Sequence, residues 1–190
     1  MRTAYITHDD CLKHDMGVDH PESPARMHAI KDQLIASGLL DFLSHYEAPK
    51  ASQEQLALVH NGDYIDSIFH QSPQSGLMQI DDDTAMNPHT LSAALHAAGA
   101  VIKGVDLVMS GEMQNAFCNI RPPGHHAGRA GASGFCIFNN IAIAAAHAIE
   151  HYGLQRVAIA DFDVHHGDGT EDIFHDDPRV MLCSTFRHPY

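Results

Sequence analysis

The apolar run Val157-Ala158-Ile159-Ala160 empties directly into Asp161-Phe162-Asp163-Val164-His165-His166-Gly167-Asp168-Gly169, and this junction constrains the fold more than any other stretch. A short β-type run that ends in ionisable residues describes a buried strand delivering its carboxyl end to a site. In open α/β sheets, ligands bind outside the carboxyl ends of the strands. Three carboxylates, two imidazoles and two glycines share nine positions here. Asp161, Asp163 and His165 have one parity, so in extended chain their side chains point to one side. The glycines permit the tight backbone that such a crowded loop needs. The stretch reads as half of a metal site.

The rest of the chain supplies the frame for that strand. Short strands are expected at Thr3–Ile6, Asn115–Ile120, Arg156–Ala160 and Val180–Ser184. Helical spacing of apolar residues places a helix from Pro24, with Ser23 as cap, to its stop at Gly38, and others over Ser52–Val59, Asn61–Phe69, Pro88–Gly111, Ile137–His151 and Thr170–His175. The alternation implies an α/β fold, a parallel sheet with helices on both faces. The 190 residues suit one domain, 1–190, without repeat or linker.

Composition narrows the partners. The formal net charge is -13 with 17 histidines counted neutral. Phosphate binding needs clustered Lys and Arg, so nucleic acid is not expected as a direct partner. The charge suits a cationic substrate, or solubility alone. The tract Asp81-Asp82-Asp83 is open in the same way, as a solvated loop or as a rim that grips a cation. Cys11, Cys118, Cys136 and Cys183 form no CxxC pair and read as reduced, buried thiols. No 18 consecutive residues are apolar and Met1–Ile6 lacks a signal core, so no membrane association and a cytoplasmic location are expected.

A second constellation, Arg121-Pro122-Pro123-Gly124-His125-His126-Ala127-Gly128, runs on to Gly134-Phe135-Cys136. It also follows a strand, so it falls at the same sheet edge as Asp161–Gly169. Prolines stiffen this loop and glycines let a ligand or another backbone approach. Carboxylate plus imidazole suits zinc or a similar divalent ion. A catalytic zinc keeps three protein ligands and an open position, and only Asp163 and His165 present themselves, so a third comes from elsewhere. The paired histidines suit general acid–base work. Asp161 and Asp168 are available to fix their tautomers.

Together with His20-Pro21-Glu22-x-Pro24-x-Arg26, the motifs Arg121-Pro122-Pro123-Gly124-His125-His126, Gly134-Phe135-Cys136-x-x-Asn139 and Asp161-x-Asp163-x-His165-His166-Gly167-Asp168-Gly169 resemble the zinc-dependent histone deacetylases. The likeness leans to the class II and bacterial branch, which includes acetylpolyamine amidohydrolases. The resemblance implies a three-layer α/β/α arginase/deacetylase-like fold and hydrolysis of the acetamide of acetyl-lysine or an acetylated polyamine. It implies Asp163 and His165 as zinc ligands. His126 would be general base and acid held by Asp168, and His125 its electrostatic partner held by Asp161. Phe135 would wall an acyl-lysine tunnel, the Gly134 carbonyl would accept the substrate amide N–H, and Arg26 would lie near a cavity behind the metal. A structural potassium ion would take the carbonyls of Asp161, Asp163, His165 and Thr185 with the Asp161 and Ser184 side chains. Carbonyls of Phe174, Asp177 and Val180 would contribute to a second monovalent site.

The family's third zinc ligand, an Asp, and its transition-state Tyr belong to later motifs that do not occur by Tyr190. The chain is therefore expected to be the N-terminal portion of such a domain, its sheet incomplete, and weak or inactive on its own. The competing expectation is a non-catalytic metal-binding or assembly module that completes its sheet by pairing with a partner or a second copy. In that case the edge after Val180–Ser184 is a pairing liability.

Overall fold

A computed structural model describes residues 2–188; Met1, Pro189 and Tyr190, including the end of the chain on which the expected truncation turned, lie outside the described residues. The strands are β1 (Thr3–Thr7), β2 (Leu43–Glu47), β3 (Met78–Asp81), β4 (Thr84–Met86), β5 (Asn115–Cys118), β6 (Val157–Asp161) and β7 (Val180–Ser184). The helices are α1 (Asp10–Lys13), α2 (Ala25–Ala36), α3 (Gln53–Leu56), α4 (Gly62–Gln71), α5 (Thr90–Met109), α6 (Asn140–Glu150) and α7 (Asp168–Phe174). The α/β class is as expected, but the parallel sheet is in two pieces among the described residues. One has the order β2-β1-β5 and the other is β6-β7; β3-β4 is a separate antiparallel hairpin. No ladder joins β5 to β6, and an apolar groove lined by Val101, Val108, Ala116, Ile141, Val157 and Ile159 lies between them.

Helices couple the two pieces. α5 packs on β1 and β5, α6 packs on β6, and α5 packs on α6. Alanines make that approach possible: Ala93, Ala94, Ala97, Ala98 and Ala100 of α5 and Ala142 and Ala145 of α6 are all buried. α5 is long and apolar enough to cross a membrane by length and composition, yet it is largely buried as the central helix of this core. At Gly99 an added Cβ would stand 1.9 Å from the Pro49 carbonyl oxygen, so only glycine lets α5 pass the 48–51 segment.

Several local expectations are corrected. Ser23 makes no cap bond; the residue preceding α2 is Pro24, and α2 buries only Met27. β6 is half-exposed rather than buried, with Ile159 its one buried residue, and Cys183 is exposed. The Asp81–Asp83 tract is not simply a solvated loop: β3 and β4 pair across a turn at Asp82 and Asp83. β2 was not foreseen, although it completes one flank of β1.

Two buried polar centres fix the loops at the carboxyl ends of the strands. Arg121 is 0% exposed. Its Nε and Nη2 donate to Glu22 at 2.7 and 2.5 Å, and its Nη1 donates to the carbonyls of Cys11 and His14, each at 2.8 Å. The second centre is His60. Its Nδ1 lies 2.8 Å from the Gly128 carbonyl, so Nδ1 carries the proton, and its Nε2 accepts the Asn139 N–H at 2.9 Å. Burial holds the His60 pKa down at about 4, against an ordinary value of 6.5.

Neutral His60 is thus built into the fold, while the unfolded chain takes up a proton below pH 6.5. This contribution is fully present above pH 6.5 and is lost as pH falls towards 4, with a limiting slope of about 1.4 kcal/mol per pH unit per histidine. Denaturant unfolding between pH 7.5 and 4 should show that decline, and His60→Gln should flatten it. Separately, Glu22→Gln should cost about 3–5 kcal/mol, because it leaves the buried Arg121 charge uncompensated; equilibrium unfolding of the full-length protein measures it.

Candidate active site

Two imidazole–carboxylate pairs stand side by side where the two sheet pieces meet. His125 Nδ1 is 2.9 Å from Asp161 Oδ2, and His126 Nδ1 is 2.6 Å from Asp168 Oδ1. A carboxylate only accepts, so each Nδ1 carries the hydrogen and each Nε2 keeps its lone pair. The rings lie 4.1 Å apart, centre to centre, at 51°. Each pair crosses between the sheet pieces: the histidines ride on the loop after β5, and the carboxylates come from the end of β6 and the start of α7.

Asp163 and His165 share one side of the same opening. Asp163 Oδ1 accepts the His165 backbone N–H at 2.7 Å, lies 3.1 Å from His165 Nδ1, and is 3.9 Å from His125 Nε2. Burial pushes the Asp163 carboxyl up, but the His165 N–H bond and the charges of His125 and His165 outweigh it and hold the group below its ordinary value. Adjacent donors on a tetrahedral ion with bonds of about 2.0–2.2 Å stand roughly 3.4 Å apart, so with the His165 hydrogen moved to Nε2 the Asp163 oxygen and His165 Nδ1 would fit neighbouring positions on such an ion. Among the described residues, no third His, Cys, Asp or Glu offers an atom close to both.

These groups line a cavity of about 350 Å³ with Pro21, Glu22, Arg26, Asp83, Gly134 and Phe135. Gly134 has φ +52°, and an added Cβ there would meet His126 Cδ2 at 2.3 Å, so the glycine admits the imidazole. Phe135 is left-handed too, with φ +69°, an arrangement costly for a bulky residue unless its surroundings impose it. Here they do. The Thr84 hydroxyl accepts the Phe135 N–H at 2.9 Å, Asp83 accepts the Gly134 N–H at 3.1 Å, and His20 meets the Phe135 ring edge-on at 4.7 Å. The Gly134 carbonyl, expected to receive a substrate N–H, lies 3.3 Å from the Cys136 thiol. Arg26 has a defined partner, the Ile120 carbonyl at 2.6 Å, and burial pulls its pKa below the ordinary value.

Of the residues expected at the monovalent-ion positions, Asp161, Ser184 and Thr185 lie together. Asp161 and Ser184 end the paired strands β6 and β7 in register, and the Thr185 N–H donates to the Asp161 carbonyl at 2.9 Å. The buried Ser184 hydroxyl has no hydrogen-bond partner among the described residues. The carbonyls of Phe174 and Asp177 accept the N–H groups of Asp177 and Val180 at 2.9 and 3.1 Å, each with one lone pair left.

Sequence reasoning missed three supports of the site. His60 carried no local signal. Asn139, quoted only as a motif residue, is 0% exposed; it caps α6 through the Ala142 N–H, and its amide reaches Ala127 and Thr170. Of the acidic tract, Asp83 reaches the cavity while Asp82 is exposed in the turn.

Known proteins are similar to this chain. The description "Histone deacetylase domain" matches residues 20–190. The chain is 40% identical over 200 residues to "Polyamine deacetylase HDAC10" of Homo sapiens, covering 100% of this chain and 30% of that protein. It is 39% identical over 191 residues to a "Probable deacetylase" of Archaeoglobus fulgidus, covering 100% of this chain and 52% of that one. The crystal structure of the HDA15 HD domain superposes with a TM-score of 0.92 at 34% identity, over 98% of this chain and 53% of that chain. The chain thus spans between about a third and a half of the length of these proteins. The match over residues 20–190, on a fold shared with the HDA15 HD domain, places this chain in the histone deacetylase family.

Proposed function

We propose that this chain carries the acid–base half of a zinc-dependent deacetylase that hydrolyses the acetamide of acetyl-lysine or of an acetylated polyamine. The observation that carries the reading is the pair of parallel dyads, His125–Asp161 and His126–Asp168, opening with Asp163 and His165 into one cavity. Asp163 and His165 would hold the zinc, with a further donor from outside residues 1–190. When bound, that ion supplies Lewis-acid polarisation of a carbonyl and acidifies water.

The chain's own residues do the rest. Asp168 keeps the hydrogen on His126 Nδ1, so Nε2 is free to take a proton from the attacking water. The carboxylate then faces the imidazolium so formed. Asp161 does the same for His125, whose ring stacks obliquely on His126 and shapes the field in which that charge appears. Return of a proton from an imidazolium to the nitrogen of the cleaved amide lets the amine depart. Phe135 would wall the approach, and the Gly134 carbonyl would accept the substrate N–H; both residues line the cavity. The acidic hairpin tip and the net charge of -13 support a cationic substrate, a description that fits both candidates. That three mammalian relatives are named polyamine deacetylases supports the polyamine. The unpartnered Ser184 hydroxyl, beside the Asp161 carbonyl at the ends of β6 and β7, supports a structural potassium ion there.

His126→Ala in the full-length protein should lower kcat on acetyl-lysine peptides and acetylpolyamines, assayed side by side, by about 10²–10⁴-fold. Turnover near the original level would remove His126 from the mechanism. Gly134→Ala should displace the His126 ring and cost about 10²-fold in kcat, with little loss of thermal stability if the loop yields locally.

A further inference from the structure

A second group of ligating side chains lies away from the cavity, where β1, β2 and α1 meet α5. His8 follows β1, Asp10 begins α1, Glu47 ends β2 and His96 lies on α5. The rings of His8 and His96 stack 3.4 Å apart, centre to centre, at 9°. Ligand atoms of His8, Asp10 and His96 all lie within 4.8 Å of one another.

Hydrogen bonding settles which atoms face inward. His96 Nδ1 is 2.7 Å from the Ala48 carbonyl. A carbonyl only accepts, so Nδ1 holds the hydrogen and Nε2 of the neutral ring is a bare lone pair. That lone pair faces Asp10 Oδ2 at 3.6 Å. His8 Nδ1 accepts the Asp10 backbone N–H at 3.0 Å, so it too is a lone pair, 4.0 Å from the same oxygen. The hydrogen of His8 is therefore on Nε2, which faces Glu47 at 3.4 Å.

Asp10 is held as an anion. The Lys13 ammonium and the Ser92 hydroxyl, each at 2.6 Å, keep its carboxyl well below the ordinary range. Burial in turn opposes protonation of His96. Three electron-pair donors thus converge: His96 Nε2, His8 Nδ1, which accepts the Asp10 N–H, and Asp10 Oδ2, which accepts the Ser92 hydroxyl. Each imidazole meanwhile gives its outer N–H to an oxygen, the carbonyl of Ala48 or the carboxylate of Glu47. That outer arrangement is what fixes tautomer and ring orientation in metal-binding histidines.

We propose that His8 Nδ1, His96 Nε2 and Asp10 Oδ2 form a binding site for a divalent transition metal of the zinc class, sharing no residue with the Asp163–His165 pair. Imidazole with carboxylate suits zinc, cobalt or nickel rather than magnesium or calcium. Donor separations of 3.6 and 4.0 Å must close to about 3.4 Å for a tetrahedral ion. The stacked rings must tilt apart so that each lone pair points at the ion, which replaces the Asp10 N–H at His8. His8 and Asp10 are partly exposed, which gives the ion its entry. Bound there, it would tie α1 and the end of β1 to α5.

The test uses the full-length protein with Asp163→Ala and His165→Ala, stripped with chelator and titrated with Co²⁺ alone. One equivalent should bind, with the visible bands of a low-coordinate cobalt site and paramagnetic shifts of the His8 and His96 ring protons. His8→Ala, at a partly exposed position, and His96→Asn should each weaken that uptake at least tenfold. Circular dichroism shows whether the variants stay folded, and if His96→Asn does not, His8→Ala decides. No stoichiometric uptake, or uptake that neither substitution alters, would overturn the proposal. So would pH-titrating His96 resonances that Co²⁺ leaves unmoved, which would mean that a proton shared with Asp10 fills the gap.

Discussion

The buried contact between Arg121 and Glu22 is the constraint on which the cavity depends. Taking two charges out of water costs several kcal/mol for each ion, repaid only where geometry is good and the remaining donors are met. Here the guanidinium meets both carboxylate oxygens and two carbonyls, a planar fork that a lysine ammonium could not reproduce. Arg121 opens the loop that bears His125 and His126, and Glu22 belongs to the segment that leads into α2. One wall of the cavity is thereby fixed to the other through a single buried pair. The carbonyls of Cys11 and His14 bring the turn after β1 to the same anchor.

From that anchor outward, the histidine loop is held by a relay of neutral groups. His60 grips Gly128 on one side and Asn139 on the other, and Asn139 passes the restraint to Ala127, Thr170 and the first turn of α6. The hairpin tip holds the backbone on the far side of the cavity, through Asp83 to Gly134 and Thr84 to Phe135. The left-handed Phe135 is the visible cost of these restraints, and it lines the cavity.

What was legible in the sequence follows from range. The junction of Val157–Ala160 with Asp161–Gly169 could be read because its polarity changes within a few residues, and the dyads it implied do form. The two long helices were legible from their apolar faces. β2 was not, because Leu43–Glu47 is a partly exposed edge strand whose polar residues resemble a loop. The β3–β4 hairpin was hidden by its acidic turn. Pairings such as Glu22 with Arg121, or His8 with His96, join residues 99 or 88 positions apart and leave no local trace. His60 is of the same kind: one histidine among 17, singled out only by what surrounds it.

The two sheet pieces share no ladder among the described residues; beside the polar links from the histidine loop to Asp161, Asp168 and Thr170, their registration rests on the apolar contact of α5 with α6. Hydrogen-bonded ladders and apolar packing respond differently to temperature, since apolar association weakens on cooling. The join between the halves is therefore the cold-sensitive seam of the molecule. Because each histidine stands on one side of that seam and its carboxylate on the other, the two dyads act as a vernier, reading any slip between the halves as a change in proton-transfer geometry.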